Sequence, residues 1–391
     1  MRDIKAIFDI GNDVIKGIVF ANDEGKDIIL AKQIEPTQGM RKGKILDGEA
    51  FVNTINRMTE SFVKKLGGDF IEEVFVGISH PEMIVNRVIE QKRIMTEEIQ
   101  ADDVEHLSRV IAEISNKNNY ETLKIVPVHF VIDDTKREKD PIGMKGKKLE
   151  LIADVFLIPK SIYNGLLDAF EKVGLNIVDI VPNIISASEV VLDYDHKDLG
   201  TVLIDIGKNQ TSYVMYEDGY PLGYGTMPIG SEDVTKDISI GLQLDIKEAE
   251  EIKKTHGSAI VQKGVPQDSP IDSLFLSDVI NARYEEIFLK INHHLKELDR
   301  DGRLAGGVIL IGGGARMPNL DLLAKDIFKL ATFYGKDNIL NLGDISSNIQ
   351  FINALGTYVW SNKYTEGRKG LGLKFNFDFV NKIGGFFKDL F

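Results

Sequence analysis

Asp9 and Asp205 each end an apolar run and each stand two residues before a glycine. They do so inside two phrases of one design, Ala6–Gly25 (AIFDIGNDVIKGIVFANDEG) and Thr201–Gly219 (TVLIDIGKNQTSYVMYEDG). Both phrases read as an apolar run, Asp-Ile-Gly, a short partly polar stretch, a second apolar run and an acidic turn ending in glycine, with the aspartates 196 positions apart. Such a phrase predicts a β-hairpin whose tip presents a carboxylate and free backbone N–H groups, chemistry suited to phosphate and its counter-ion. Two tips, one in each half of the chain, imply two lobes closing on one phosphate ligand. At the tips, Gly11 and Gly207 let the backbone approach phosphate oxygens, while Asp9 and Asp205 would hold the water shell of Mg2+, a cation that keeps several waters. Lys16, seven residues after Asp9 on the returning strand, either reaches back to the phosphates or is a solvated strand lysine.

A third glycine-rich strand end, GGVILIGGG (306–314), predicts close backbone approach to a ring or ribose at Gly312, Gly313 and Gly314, beside a helix that starts near Pro318. Glu250 and Lys253 lie one helical turn apart and either grip ribose hydroxyls or form a surface ion pair. The seven histidines show no ligand spacing, and the adjacent His293 and His294 read as helix-surface residues.

Positioning these groups requires a large folded scaffold, and 391 residues with 43% hydrophobic composition are enough for two or more domains. A net charge of -13 argues against nucleic acid as a partner of the bulk surface, so an anionic ligand must be met locally. The absence of cysteine excludes a disulfide framework, a zinc-thiolate site and a thiol nucleophile, and fits a reducing cytoplasm. The first residues, MRDIKAIFDI, place acid within the apolar run and do not read as a signal peptide. No uncharged apolar run approaches the roughly eighteen residues needed to span a bilayer.

The spacing predicts a helix over Asp47–Leu66, a buried strand over Glu73–Ser79, and then a change of pattern between Pro81 and Pro159. That block reads as strands at Met83–Ile94, Lys124–Val131 and Leu149–Ile158 with a helix from Thr96 to about Ser115, a small α/β unit inserted in the first lobe. A helix at Ser161–Val173 and a strand at Asn176–Val181 resume the lobe. In the second half, helices fall within Gly230–Gly257, at Asn281–Leu298 and at Met317–Leu330, followed by a short helix at Phe351–Trp360 and a polar link, SNKYTEGRKG.

The tail differs from everything before it, holding six of the chain's 20 Phe in its last 17 residues. Phe375, Phe379, Ile383, Phe386, Phe387 and Leu390 fall on one helical face, with Lys382 and Lys388 off it, a pattern that suits a helix lying in an anionic membrane surface. One tail binds weakly, and several presented together bind far better through effective concentration.

The two phosphate hairpins, the IGGGA strand end, the DPIGMKG segment, EAEEIKKTHGSA, NARYEEI and the amphipathic terminus together resemble the bacterial cell-division protein FtsA family, over nearly the whole chain. The resemblance implies an α/β, actin-like two-lobed fold with ribonuclease H-like motifs and an inserted IC subdomain. Its parts would be IA at 1–80, IC at 81–160, IA again at 161–195, IIA at 196–230, IIB at 231–302, IIA again at 303–350, a return to IA and linker at 351–366, and a membrane-targeting helix at 367–391. It also implies ATP and Mg2+ as ligands, with Ala315 completing the glycine-rich turn, and self-association into filaments. The FtsZ C-terminal peptide would dock on IIB near Arg283, and the protein would tether FtsZ to the cytoplasmic face of the inner membrane at the division site. Two departures stand out: Asn12 where the family commonly has Ser or Thr, and Gly207-Lys208-Asn209-Gln210 where it commonly has Gly-Gly-Gly-Thr. They imply nucleotide binding with slow or negligible turnover, with Lys208 supplying charge to the phosphates. Two other readings share the core: the actin-like adaptor of pilus assembly, which should lack a membrane-seeking tail, and a small-molecule kinase, for which only Asp9 or Asp205 could serve as base.

Overall fold

Strand β1 (Asp3–Ile10) turns at Gly11 and returns antiparallel as β2 (Val14–Asp23), and β3 (Lys26–Pro36) extends the meander. The computed structural model describes residues 3–23, 26–68, 70–260, 272–337 and 349–370. The tail stripe from Phe375 to Leu390 lies outside the described residues.

After a two-stranded turn, β4 (Met40–Arg41) and β5 (Lys44–Ile45), helix α1 (Gly48–Lys65) is capped by the Asp47 side chain on Ala50 N–H. Its apolar stripe, Phe51, Ile55, Met58 and Phe62, is fully buried. Phe62 and Met58 lie directly over Gly17 of β2, where a Cβ would come within 2.6 Å of both, so the glycine sets how closely helix and sheet pack. Strand β6 (Glu73–Ile78) then pairs parallel with β1.

The chain leaves this sheet to build a second one. Strands β7 (Ile84–Arg93), β8 (Tyr120–Ile132), β9 (Lys136–Glu138) and β10 (Lys148–Pro159) form an antiparallel sheet in the order β7-β10-β8-β9, packed by helix α2 (Ala101–Ile114) over its own apolar core. Helix α2 begins at Ala101 and not at Thr96, because the Asp103 carboxylate closes a capping box on Gln100 N–H at 2.9 Å. The charged stretch between β8 and β10 contains the short strand β9. Helix α3 (Lys160–Lys172) and strand β11 (Asn176–Pro182), parallel to β6, complete the first sheet in the order β11-β6-β1-β2-β3.

Helices α4 (Asn183–Val191) and α5 (Tyr194–Leu199) lead to the second half. There β12 (Thr201–Ile206), β13 (Thr211–Glu217) and β14 (Tyr220–Met227) repeat the antiparallel meander. Helices α6 (Ser231–Leu242), α7 (Ile246–His256) and α8 (Ser273–Glu297) follow. Strand β15 (Gly307–Ile311), helix α9 (Leu320–Phe328) and strand β16 (Thr332–Tyr334) give the sheet order β14-β13-β12-β15-β16, with β15 and β16 parallel to β12 and to each other in turn. This topology is that of the first sheet, meander then two parallel strands, so the duplicated phrases mark duplicated sheets.

Three further helix boundaries differ from expectation. Helix α8 starts eight residues before Asn281, capped by Asp272; its first turns bury Leu276, Ser277 and Ile280 but leave Leu274 and Phe275 exposed, which blurs the apolar periodicity there. Helix α9 starts at Leu320, after a single 3-10 turn at Gly314–Arg316 and a left-handed Asn319. The polar link is not a break: α10 (Ile352–Gly370) runs through it, since adding residues to an existing helix is far easier than nucleating one and SNKYTEGRKG holds no proline. The chain divides into two compact units, one formed by residues through Glu189 together with those from Asn353 onward, the other by Val190–Ile352.

Candidate functional site

Asp9 occupies the penultimate position of β1, opposite Lys16 on β2 and Gly77 on β6, and is 2% exposed. A buried carboxylate must be paired. Lys16 Nζ lies 3.2 Å from its Oδ2, and Asn183 Nδ2, at the first residue of α4, donates to its Oδ1 at 2.8 Å. Lys16 is therefore drawn onto the tip carboxylate and is not a solvated strand lysine. Around the turn, a Cβ on Gly11 would stand 2.5 Å from Val14 O, and Thr37 Oγ1 donates to Gly11 O at 2.7 Å. Asn12 faces away from this carboxylate partnership: its Oδ1 accepts from Gly43 N–H at 2.6 Å, tying the tip to the β4–β5 turn. Beneath that turn His80 is 1% exposed, and burial pushes its imidazole pKa down.

Asp205 occupies the same penultimate position on β12, opposite Ser212 on β13, and is 7% exposed. The second tip thus has no lysine at the place Lys16 takes in the first. Its loop is bound to α6. Ser231 N–H donates to Gly207 O at 3.0 Å and Glu232 N–H to Lys208 O at 2.8 Å. Asn209 Nδ2 donates to Glu232 Oε2 at 2.6 Å. A Cβ on Gly230 would collide with the Lys208 carbonyl at 2.5 Å, so this glycine admits the loop to the helix end. Asn209 consequently serves as a staple to α6, while the Lys208 side chain is exposed at the loop apex.

The glycine-rich turn follows β15. Gly312 adopts φ +91°, and a Cβ there would stand 2.3 Å from Asp205 Oδ1; a Cβ on Gly314 would stand 2.5 Å from the Ile206 side chain. Two of the three glycines are thus required by the second tip itself. Gly313 alone faces open space, and it is the position where a ligand could come against the backbone. Ala315 is fully buried, and Tyr284 of α8, itself buried, donates to Gly314 O at 2.8 Å and so anchors the turn.

Glu250 and Lys253 meet on α7, but not as a surface pair. Lys253 is 6% exposed and its Nζ donates to Ser231 O at 2.9 Å and to Thr235 Oγ1 at 2.6 Å, besides reaching Glu250 at 2.6 Å. Burial raises the pKa of Glu250, yet hydrogen bonds from Lys253 and Thr235 and the Lys253 charge outweigh it and hold the carboxyl down at about 2. Burial likewise lowers Lys253, opposed by Glu250. The pair joins α7 to α6. Arg283 on α8 forms a two-pronged bond to Asp237 at 2.6 and 3.0 Å and also contacts Glu286, which raises its pKa further. His293 is a helix-surface residue, but His294 is not: it is half-buried, with Nδ1 3.0 Å from the Tyr213 hydroxyl and its ring over Gly223. Burial pushes Tyr213 up to about 12 and His294 down.

Taken each within its own unit, the two tips have chemistry suited to a hydrated magnesium–phosphate group: a buried carboxylate is the penultimate residue of a strand, with a glycine two residues on, and in the second unit Gly313 also leaves room that a side chain would fill. Asn183 and Thr37 belong to this set without having been legible as such. Asn183 begins a helix after a buried strand, where an asparagine reads as an ordinary cap.

Twin sheets of this topology, each with an acidic hairpin tip, define an α/β protein of the actin-like fold. Solved structures share that fold: the PilM-PilN type IV pilus biogenesis complex (TM-score 0.66, 18% identity, 91% of this chain and 97% of that one). A second is MreB5 of Spiroplasma citri bound to ADP (TM-score 0.56, 14% identity, 94% and 98%). In sequence, residues 202–356 match the family model of cell division protein FtsA and residues 80–157 that of the SHS2 domain inserted in FtsA. FtsA of Enterococcus faecalis is 30% identical over 335 residues, covering 82% of this chain and 76% of its own length. FtsA of Bacillus subtilis is 28% identical over 399 residues, covering 98% and 89%. The chain belongs to the FtsA family of cell-division proteins. Its likeness to the pilus complex is one of fold.

Proposed function

We propose that the protein is a division adaptor that binds ATP with Mg2+, assembles into filaments and tethers FtsZ to the cytoplasmic face of the inner membrane. The observation that carries nucleotide binding is the equivalence of Asp9 and Asp205, each buried at the penultimate residue of the first meander strand of its own sheet. Asp9, Gly11 and Lys16, with Asp205, Gly207 and Lys208, would meet the magnesium–phosphate group, and Gly313 the nucleoside. Bound Mg2+ would neutralise phosphate charge through its water shell. Asn12, Asn209, Gly312 and Gly314 support the tips, and Glu250 with Lys253 sets the α6–α7 corner beside the second tip. Turnover is slow, since no hydroxyl stands at Asn12 and the loop after Asp205 is tied down, with the Gly207 and Lys208 carbonyls spent on α6 and the Gln210 carbonyl on Gly207 N–H. The subdomain division follows the family pattern: IC at 81–160 and IIB at 231–302, with the remainder forming IA and IIA.

The FtsZ C-terminal peptide docks on α8, where Arg283 exchanges Asp237 or Glu286 for a peptide carboxylate. Residues 367–391 hold the membrane. Among the described residues no helix is long and apolar enough to cross a bilayer, which leaves attachment to the amphipathic tail. The nucleotide reading is tested by titrating the full chain with ATP and ADP, with and without Mg2+. Asp9→Asn and Asp205→Asn should each weaken Mg2+-dependent binding at least tenfold; unchanged affinity in both would overturn it.

A further inference from the structure

We infer that Asn183 is a positioning residue for the first tip: its amide fixes the Asp9 carboxylate in the orientation used toward the magnesium–phosphate group. The inference rests on the nucleotide reading above and deepens it. Asn183 is 3% exposed, and its Nδ2 donates to Asp9 Oδ1 at 2.8 Å while Lys16 takes Oδ2. An ionised carboxylate only accepts, so the NH2 must face Asp9 and the amide oxygen must face the opposite way. There, among the described residues, Oδ1 accepts no hydrogen bond although it is buried. Leaving a buried amide oxygen unpaired is costly, and the cost is borne where the other end of the amide has a fixed task.

The neighbourhood is shaped around this amide. A Cβ on Gly77, the β6 residue directly beside Asp9, would stand 2.4 Å from Asn183 Oδ1 and 2.7 Å from Thr357 Oγ1, so only glycine admits the amide between β6 and α10. Ser186 Oγ donates to the Asn183 carbonyl at 3.2 Å and lies 3.4 Å from Thr357 Oγ1, and Thr357 in turn donates to Asn353 O at 3.0 Å. The carboxylate is therefore held by α4, and α4 is braced against α10.

The test is a double-mutant cycle in the full chain, with ATP affinity read in Mg2+ and in EDTA. Asn183→Leu should weaken binding in Mg2+ by about tenfold to a hundredfold, the worth of one hydrogen bond to a charged group, and leave affinity in EDTA unchanged. In the Asp9→Asn background the same substitution should have little further effect, because the carboxylate it orients is gone. Equal losses in Mg2+ and EDTA, or additive losses in the cycle, would show a merely structural residue and overturn the inference. If Leu prevents folding, Asn183→Ala reads the same cycle. Failure of the unmodified chain to bind ATP in Mg2+ would instead overturn the nucleotide reading itself.

Discussion

Glu250 shows how a single side chain can hold two helices together through its charge state. Its folded-state pKa of about 2 lies below its ordinary value of 4.5, so the stabilisation it contributes is fully present above about pH 4.5 and is lost as pH falls toward 2. Glu250→Gln should therefore lower stability at pH 7 and do so less at pH 3, measured by urea denaturation followed by circular dichroism. The three glycines after β15 separate in the same way once each is taken by itself. Gly312→Ala meets both a left-handed φ and the Asp205 carboxylate and should destabilise the fold by roughly 2 kcal/mol or more. Gly313→Ala should leave the melting temperature nearly unchanged and weaken nucleotide affinity, since its Cβ points into open space. Thermal melts and ATP titrations of the two variants check the contrast.

At the scale of elements, α10 and the inserted sheet are joined through a buried charge pair. Lys124 of β8 lies 2.5 and 2.6 Å from the two oxygens of Asp179 on β11, and Trp360 of α10 donates to Asp179 at 3.2 Å. Burial works against both charges, lowering Lys124 and raising Asp179, and each is sustained by the other. Breaking the pair leaves an uncompensated buried charge, so Lys124→Ala or Asp179→Ala should cost about 3 to 5 kcal/mol, while the double change Lys124→Met with Asp179→Leu should cost much less than either. Trp360, the chain's single tryptophan, reports the transition by fluorescence during denaturation. Helix α8, in the second unit, works differently: Tyr284, Ile287, Phe288, Ile291 and Leu295 bury one face, and its exposed face offers Glu285, Leu289 and His293 to solvent.

For the whole molecule, the function we propose divides between the folded units, which carry the two tips, and a terminal sequence, which carries the apolar stripe. The full chain should float with vesicles containing anionic lipid, and a chain ending at Gly370, where α10 ends, should stay in solution; equal flotation of the two would overturn tethering by the tail. By itself the sequence determined the duplication, the acidic tips and the core-facing stripe of α1, because strand and helix periodicities and an Asp-x-Gly turn are local properties. It also singled out the inserted α/β block, whose change of pattern is local in the same sense. Only the tertiary structure decided which polar residues share a partner. Asn183 comes to Asp9 from 174 positions away, Asn12 and Asn209 are spent on Gly43 and Glu232, and Lys253 is sealed between two helices. The reason is physical: a buried polar group is assigned by whichever donor or acceptor the packed core brings within about 3 Å, and that depends on contacts between strands and helices far apart in the chain.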